Sequence, residues 1–153
     1  MSNLACGCPG SQVRSVEKKE STGNTPTGRV DSELRQWPTQ LHLVPPTAPY
    51  LQDAHLLIAA DCAPFAYAEF HRDFIKGRVL VNACPKLDDT SPYVDKLAAM
   101  IANNDVQSVT VTIMEVPCCR GLAMMAQQAI EKSGKYVPLE VAIIGVDGTR
   151  KNG

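Results

Sequence analysis

The sequence predicts a small three-layer α/β sandwich around a mostly parallel sheet, and three observations predict it. From residue 54 onward, short apolar runs alternate with longer stretches whose apolar residues recur at helical spacing. The runs are apolar on successive residues rather than on every second one, as expected of strands covered on both faces. The stretches between them are long enough for crossover helices, which in a parallel sheet are right-handed.

Residues 1–36 read as a cysteine-containing loop and linker, and residues 37–153 as the α/β domain. In the loop, Cys6-Gly7-Cys8-Pro9-Gly10-Ser11 combines turn formers with two thiols. Residues 13–28 are polar and lack a sustained period, which marks a surface linker. Trp37-Pro38 ends it, and Gln40 to Val44 is expected as a short strand stopped by Pro45-Pro46. Ala54 to Ala60 is a central strand that runs into Asp61-Cys62. Pro64 suits a first helical turn, and Ala66, Phe70 and Phe74 predict one helix reaching Gly77. Arg78 to Ala83 is the next strand and leads into Cys84-Pro85. Ser91 is a candidate cap for a helix with Pro92 at its first position and Tyr93, Leu97, Met100 and Ile101 on one face. The β-branched run Ser108 to Ile113 is a buried strand; Leu122, Ala126, Ala129 and Ile130 follow as one face of a helix that stops near Ser133-Gly134. Pro138 to Val146 is the last strand. The resulting order is that of a small Rossmann-like fold, although neither a dinucleotide-binding glycine fingerprint nor a P-loop is present.

Composition narrows the function. A chain of 153 residues with a net charge of −1 and no basic block offers no footprint for nucleic acid. No apolar run approaches the roughly 20 residues that span a bilayer. The first residues lack the basic and apolar regions of an export signal, so the expected compartment is the cytoplasm. In a reducing compartment, six cysteines point to metal ligation or redox chemistry rather than to disulfides.

Their placement is more informative than their number. Cys62, Cys84 and the Cys118-Cys119 pair each follow a predicted strand, and consecutive βα units bring all strand carboxyl ends to one edge of the sheet. Neighbouring strands lie about 4.8 Å apart, so thiols from adjacent ends can meet on one inorganic core, with Cys6 and Cys8 closing over it. Soft thiolates select zinc, copper(I) or an iron–sulfur cluster. The scattered spacing lacks the paired knuckles of structural zinc sites and favours a cluster, [4Fe–4S] first. Helices beginning after the cysteines would aim their amino ends at the site and favour an anionic cluster. Six thiols exceed the four that one cube needs. Two are then spare or redox-active, or the cluster is larger, or there is more than one. In Cys118-Cys119, a strand continuing through the pair would turn one side chain away, whereas a turn starting at Cys118 would aim both inward.

Other polar residues have plainer readings. His42 is read as a hydrogen-bonded structural histidine in preference to a functional one, and His71 as part of a solvated helix face. Asp88 and Asp89 are read as a solvated loop pair in preference to a cation site.

The words CGCPGS (Cys6 to Ser11), WPTQLHLVPPTAPY (Trp37 to Tyr50), AADCAPFAYAEFHRDF (Ala59 to Phe74), CPKLDD (Cys84 to Asp89) and MEVPCCRGL (Met114 to Leu122) occur in order over nearly the whole chain. Together they resemble the iron–sulfur-binding proteins of anaerobic microbes usually labelled 4Fe–4S ferredoxins. The resemblance implies iron–sulfur binding by Cys6, Cys8, Cys62, Cys84, Cys118 and Cys119. It covers the α/β cysteine module only, because the C-x2-C-x2-C-x3-C repeats of longer relatives are absent. Two functions are therefore expected in competition. One is a cytoplasmic electron carrier with a redox partner protein. The other is an iron–sulfur or thiol-dependent enzyme or carrier acting on a sulfur or disulfide substrate, with His42, His71 and Asp61 as acid/base candidates.

Overall fold

The computed structural model describes residues 12–15 and 28–152. Cys6 and Cys8 therefore lie outside the described residues. The main sheet contains β3 (His55–Ala60), β4 (Val79–Ala83), β5 (Ser108–Met114) and β6 (Leu139–Ile144), after a two-residue antiparallel pair, β1 (Arg14–Ser15) and β2 (Gln36–Trp37). Its order is β4-β3-β5-β6, with every neighbour parallel. Leu56 to Ala60 and Val109 to Met114 are buried without interruption, as the unbroken apolar runs require of the two inner strands.

Three connections complete the layers. After β3 come α1 (Ala63–Ala66) and a π-turn over His71–Ile75; α2 (Tyr93–Asn103) links β4 to β5, and α3 (Arg120–Ser133) links β5 to β6. Since β3 steps to β4 in one direction, and β4 to β5 and β5 to β6 in the other, right-handed crossovers put α1 on one face and the other two helices on the opposite face. There α2 and α3 pack against each other, burying Leu97, Met100 and Ile101 with Leu122, Ala126 and Ala129.

Two sequence expectations are corrected here. The helix predicted from Pro64 to Gly77 is broken at Tyr67, whose φ of −103° and ψ of 108° are extended. Phe70, Phe74 and Ile75 face inward on the wider π-turn that follows. The strand predicted from Gln40 to Val44 is a single bridge, Gln40 to Asn82, followed by turns. Those turns lie alongside α2, where Lys96 Nζ donates to His42 O at 3.0 Å and Asn104 Nδ2 donates to Pro46 O at 2.8 Å.

The stretch before Trp37 also contributes more than a linker. Gln36 is 1% exposed, and its Nε2 donates to Leu80 O at 2.6 Å while the Leu80 N–H approaches its Oε1 at 3.5 Å. Farther along β4, Leu41 N–H donates to Asn82 O and Asn82 N–H donates to Thr39 O, both at 2.9 Å. A side-chain amide and a short piece of backbone thus cover an edge that would otherwise be open to pairing. Gln36→Ala leaves buried backbone groups of Leu80 without these partners and is expected to cost about 1–3 kcal/mol, read as a lower urea midpoint at unchanged slope.

Candidate functional site

The sheet order creates a crevice at its carboxyl edge. The chain leaves β3 toward one face and β5 toward the other, so between these neighbours the loops diverge, which is where open α/β sheets place ligands. A cleft of about 420 Å³ lies at this edge. It is lined by Ala60, Asp61 and Cys62 at and after the end of β3, Ala83 to Leu87 at and after the end of β4, Met114, Val116, Cys118 and Cys119 at and after the end of β5, and Val146 after β6.

Strand register brings Cys62 and Cys84 to within one residue of the same height at this edge. Ala60 pairs with Ala83, so Cys62 and Cys84 follow the last rung by two residues and one. The Cys84 loop is closed twice by Asp88: its N–H donates to Cys84 O at 2.9 Å, and its Oδ2 accepts the Cys84 N–H at 3.0 Å. Pro117–Cys119 forms a 3-10 turn continuous with α3, with Cys119 N–H donating to Val116 O at 3.2 Å. The paired cysteines thus sit in the first helical turn, and both line the cleft. A Cβ at Gly121 would stand 3.7 Å from Pro85 Cβ, which measures how closely this turn abuts the Cys84 loop.

The expectation that helices after Cys62, Cys84 and Cys119 all aim their amino ends at the site is corrected by the observed ends. The helix after Cys62 has four residues, and α2 begins at Tyr93, beyond the whole Cys84 loop. Pro92 rather than Ser91 occupies the cap position of α2, because Ser91 donates its N–H and hydroxyl to Asp89 Oδ1. It is α3 whose amino end starts at the thiols and places its helix dipole there.

The four described thiols differ in setting. Cys62 and Cys118 are exposed, Cys84 is half-buried and Cys119 is buried. Burial pushes the Cys119 thiol above its usual pKa; the nearby Cys118 and Cys62 add to the rise, and a backbone hydrogen bond with Met114 opposes it. As the side chains stand, no group of three or more His, Cys, Asp or Glu among the described residues is assembled to hold a metal ion.

Reactivity follows from these settings. Iodoacetamide is expected to label Cys62 and Cys118 of the metal-free chain at least about tenfold faster than Cys119, by peptide mass spectrometry. The unfolded chain loses thiol protons near about pH 8.5, whereas folded Cys119 retains its own longer. The stability linked to Cys119 is therefore full below that pH and falls as pH rises through the folded value. Urea unfolding at successive pH values should show this fall, and Cys119→Ala should reduce it.

Of the acid/base candidates, Asp61 alone lines the thiol cleft, and its Oδ1 accepts from Asn82 Nδ2 at 2.7 Å. His42 lies at a separate pocket of about 220 Å³ with Gln40, Asp88, Asp89 and Tyr93. The Nδ1 of His71 accepts the Glu33 N–H at 3.1 Å, and the ring borders another pocket of about 400 Å³. Neither histidine lines the thiol cleft, although the His42 pocket shares Asp88 with the Cys84 loop. Sequence reasoning missed the apolar wall made by Leu87, Met114, Val116 and Val146, whose common feature is position just at or beyond a strand end.

Comparison with known proteins gives the frame. Residues 48–152 match the family model described as Rossmann-like domain. An uncharacterized protein of Archaeoglobus fulgidus is 35% identical over 116 residues, which cover 76% of this chain and 81% of that relative. No solved structure matches the chain. Neither description mentions iron–sulfur binding.

Proposed function

This chain belongs to the Rossmann-like domain family, and we propose that it is an iron–sulfur protein passing single electrons. The observation that carries the reading is the cleft itself: four thiols from three strand ends line it beside apolar walls. This donor set is soft and matches the four thiolates of a [4Fe–4S] cluster in number. Cys62 and Cys118 are exposed at the cleft, while the Cys84 peptide and the Cys119 backbone are held. When bound, the cluster supplies a one-electron couple. The surrounding alanine, leucine, valine and methionine side chains limit water at the thiolates, and the α3 amino end offsets negative charge.

Cys6 and Cys8 belong to the same reading. The segment from Gln36 to Gln40 runs in the direction of β4, since Gln36 bonds Leu80 and Gln40 bridges Asn82. β1 is antiparallel to it, with Ser15 opposite Gln36 and Arg14 opposite Trp37. Passing from Ser15 back to Arg14 therefore heads toward the carboxyl edge, and a chain of six residues spans at most about 20 Å. Cys6 and Cys8 lie outside the described residues and are proposed as further ligands or as a cover.

A redox partner protein is proposed at the same edge. Leu87 and Val146 on the cleft wall are 83% and 67% exposed, Phe65 three residues beyond Cys62 is 91% exposed, and the exposed Lys86 and Arg120 make no ion pair among the described residues. Nearby Asp147 is paired with Lys151, and Glu115 accepts the Val146 N–H. An apolar contact ringed by carboxylates on the partner fits this surface. Electron exchange with a small acidic redox protein is expected to slow as ionic strength rises, measured by stopped flow, and to lose that dependence in Lys86→Glu/Arg120→Glu.

A second reading is favoured by one observation. The cleft volume is in the range of small-molecule sites, and Asp61 is on its wall. An open iron position or a spare thiol there would act on a sulfur or disulfide substrate. Reductive titration of the anaerobically reconstituted full chain separates the two. A carrier takes up about one electron per cube and is indifferent to added disulfide. Turnover of a disulfide favours the second reading; a chain that forms no chromophore refutes the carrier and the open-iron form of the second reading, and one that also turns over no disulfide refutes both.

A further inference from the structure

Cys84 differs from the other described thiols in how its peptide is held. It comes from β4, at the edge of the main sheet, and the loop after it reaches α2 only at Tyr93. Within that loop Asp88 closes a ring on Cys84 from both directions, through its own N–H to Cys84 O and through Oδ2 to the Cys84 N–H. The same Oδ2 accepts the Tyr93 hydroxyl at 2.6 Å. Tyr93 is 1% exposed and is the first residue of α2, so its ring is fixed by the core. Burial first, and the bond to Asp88 second, push the Tyr93 phenol well above its usual pKa, so it remains a donor at any ordinary pH. The turns carrying Cys62 and Cys118-Cys119 have no side-chain cap of this kind.

We infer that Asp88, held by Tyr93, is a positioning residue for Cys84: it fixes the ligand's peptide and sets a carboxylate beside the thiol cleft. The inference rests on the reading of Cys84 as a cluster ligand, but the clamp itself is a property of the metal-free chain. A charged acceptor holding two donors has two separable effects. Its geometry limits where the Cys84 sulfur can go, and its negative charge opposes the addition of an electron nearby.

Three variants separate these effects. Asp88→Asn keeps an oxygen where both donors can reach it and removes the charge. Asp88→Ala removes the clamp, and Tyr93→Phe removes only its anchor. In the metal-free full chain, amide exchange at Cys84 is expected to quicken by about tenfold or more in Asp88→Ala and Tyr93→Phe and to stay slow in Asp88→Asn. After reconstitution, Asp88→Ala should lose iron to a chelator about 10–100-fold faster than wild type. Asp88→Asn should retain its iron and show a higher reduction potential, which a purely structural role would not produce. Should Asp88→Ala fail to fold, Tyr93→Phe provides the same clamp test. Unchanged Cys84 exchange in the folded variants overturns the inference. If wild type takes up no iron and sulfide while Cys84 exchange still responds as expected, the iron–sulfur reading fails and the clamp stands.

Discussion

Cys62→Ala and Cys118→Ala, each alone, are expected to bring the reconstituted chain from about four irons to less than one, by iron and sulfide analysis. Both thiols are exposed, line the cleft and belong to different strand ends, so removing either takes away one side of the proposed site. Exposure also makes the result interpretable. Surface substitutions of this kind change stability by about 0.5 kcal/mol or less, so loss of iron would not reflect loss of fold. Cys119→Ala differs because Cys119 is 7% exposed and part of the core cluster; its iron content must be read beside an unfolding curve. Retention of full iron by both exposed-site variants would exclude these residues from the ligand set.

Leu122→Ala is expected to cost about 2–5 kcal/mol, measured by urea unfolding. Leu122 is 0% exposed on the first turns of α3, and truncation opens a cavity where the helix meets the sheet. Domains of this kind have about 5–15 kcal/mol in total, so one side chain removes a large share. The site should respond as well. Leu122 follows Gly121, whose Cα side faces Pro85, and the Cys118-Cys119 turn is continuous with α3, so slackened helix packing loosens two thiols and their contact with the Cys84 loop. Iron retention in Leu122→Ala is therefore expected to fall even below the temperature at which the chain unfolds.

The parallel sheet was legible because burial on both faces leaves a mark on every residue of a strand. The runs ending at Ala60, Ala83 and Ile113 have that mark; β3 and β4 end at the first two, and β5 runs one residue past the third, to Met114. Gly134, at φ 69°, ends α3 as its position past the last apolar residue implies. Elements whose form depends on distant partners were not legible. Phe70 and Phe74 fit a helical period, yet the break at Tyr67 is accompanied by a hydroxyl bond to Asp73 and edge-on packing of the Tyr67 ring on Phe74. Gln36 looks like part of a polar linker because its acceptor, Leu80, is 44 residues away.

The same distinction applies within the site. The convergence of Cys62, Cys84, Cys118 and Cys119 follows from chain order in a parallel sheet, so it could be read without coordinates. Asp88 and Asp89 look alike in sequence, but the fold gives them different work: Asp88 grips Cys84 and Tyr93, and Asp89 holds Ser91. The orientation of Cys118-Cys119 needed the observed 3-10 turn, since spacing alone allows both an extended and a helical path.

Metal and acid-labile sulfide content of the full chain, purified without oxygen, tests the central claim most directly. The account predicts about four irons and four sulfides per chain, with iron lost in Cys62→Ala and Cys118→Ala. A chain that remains free of iron and sulfide after reconstitution, or that holds one zinc per chain instead, would contradict it.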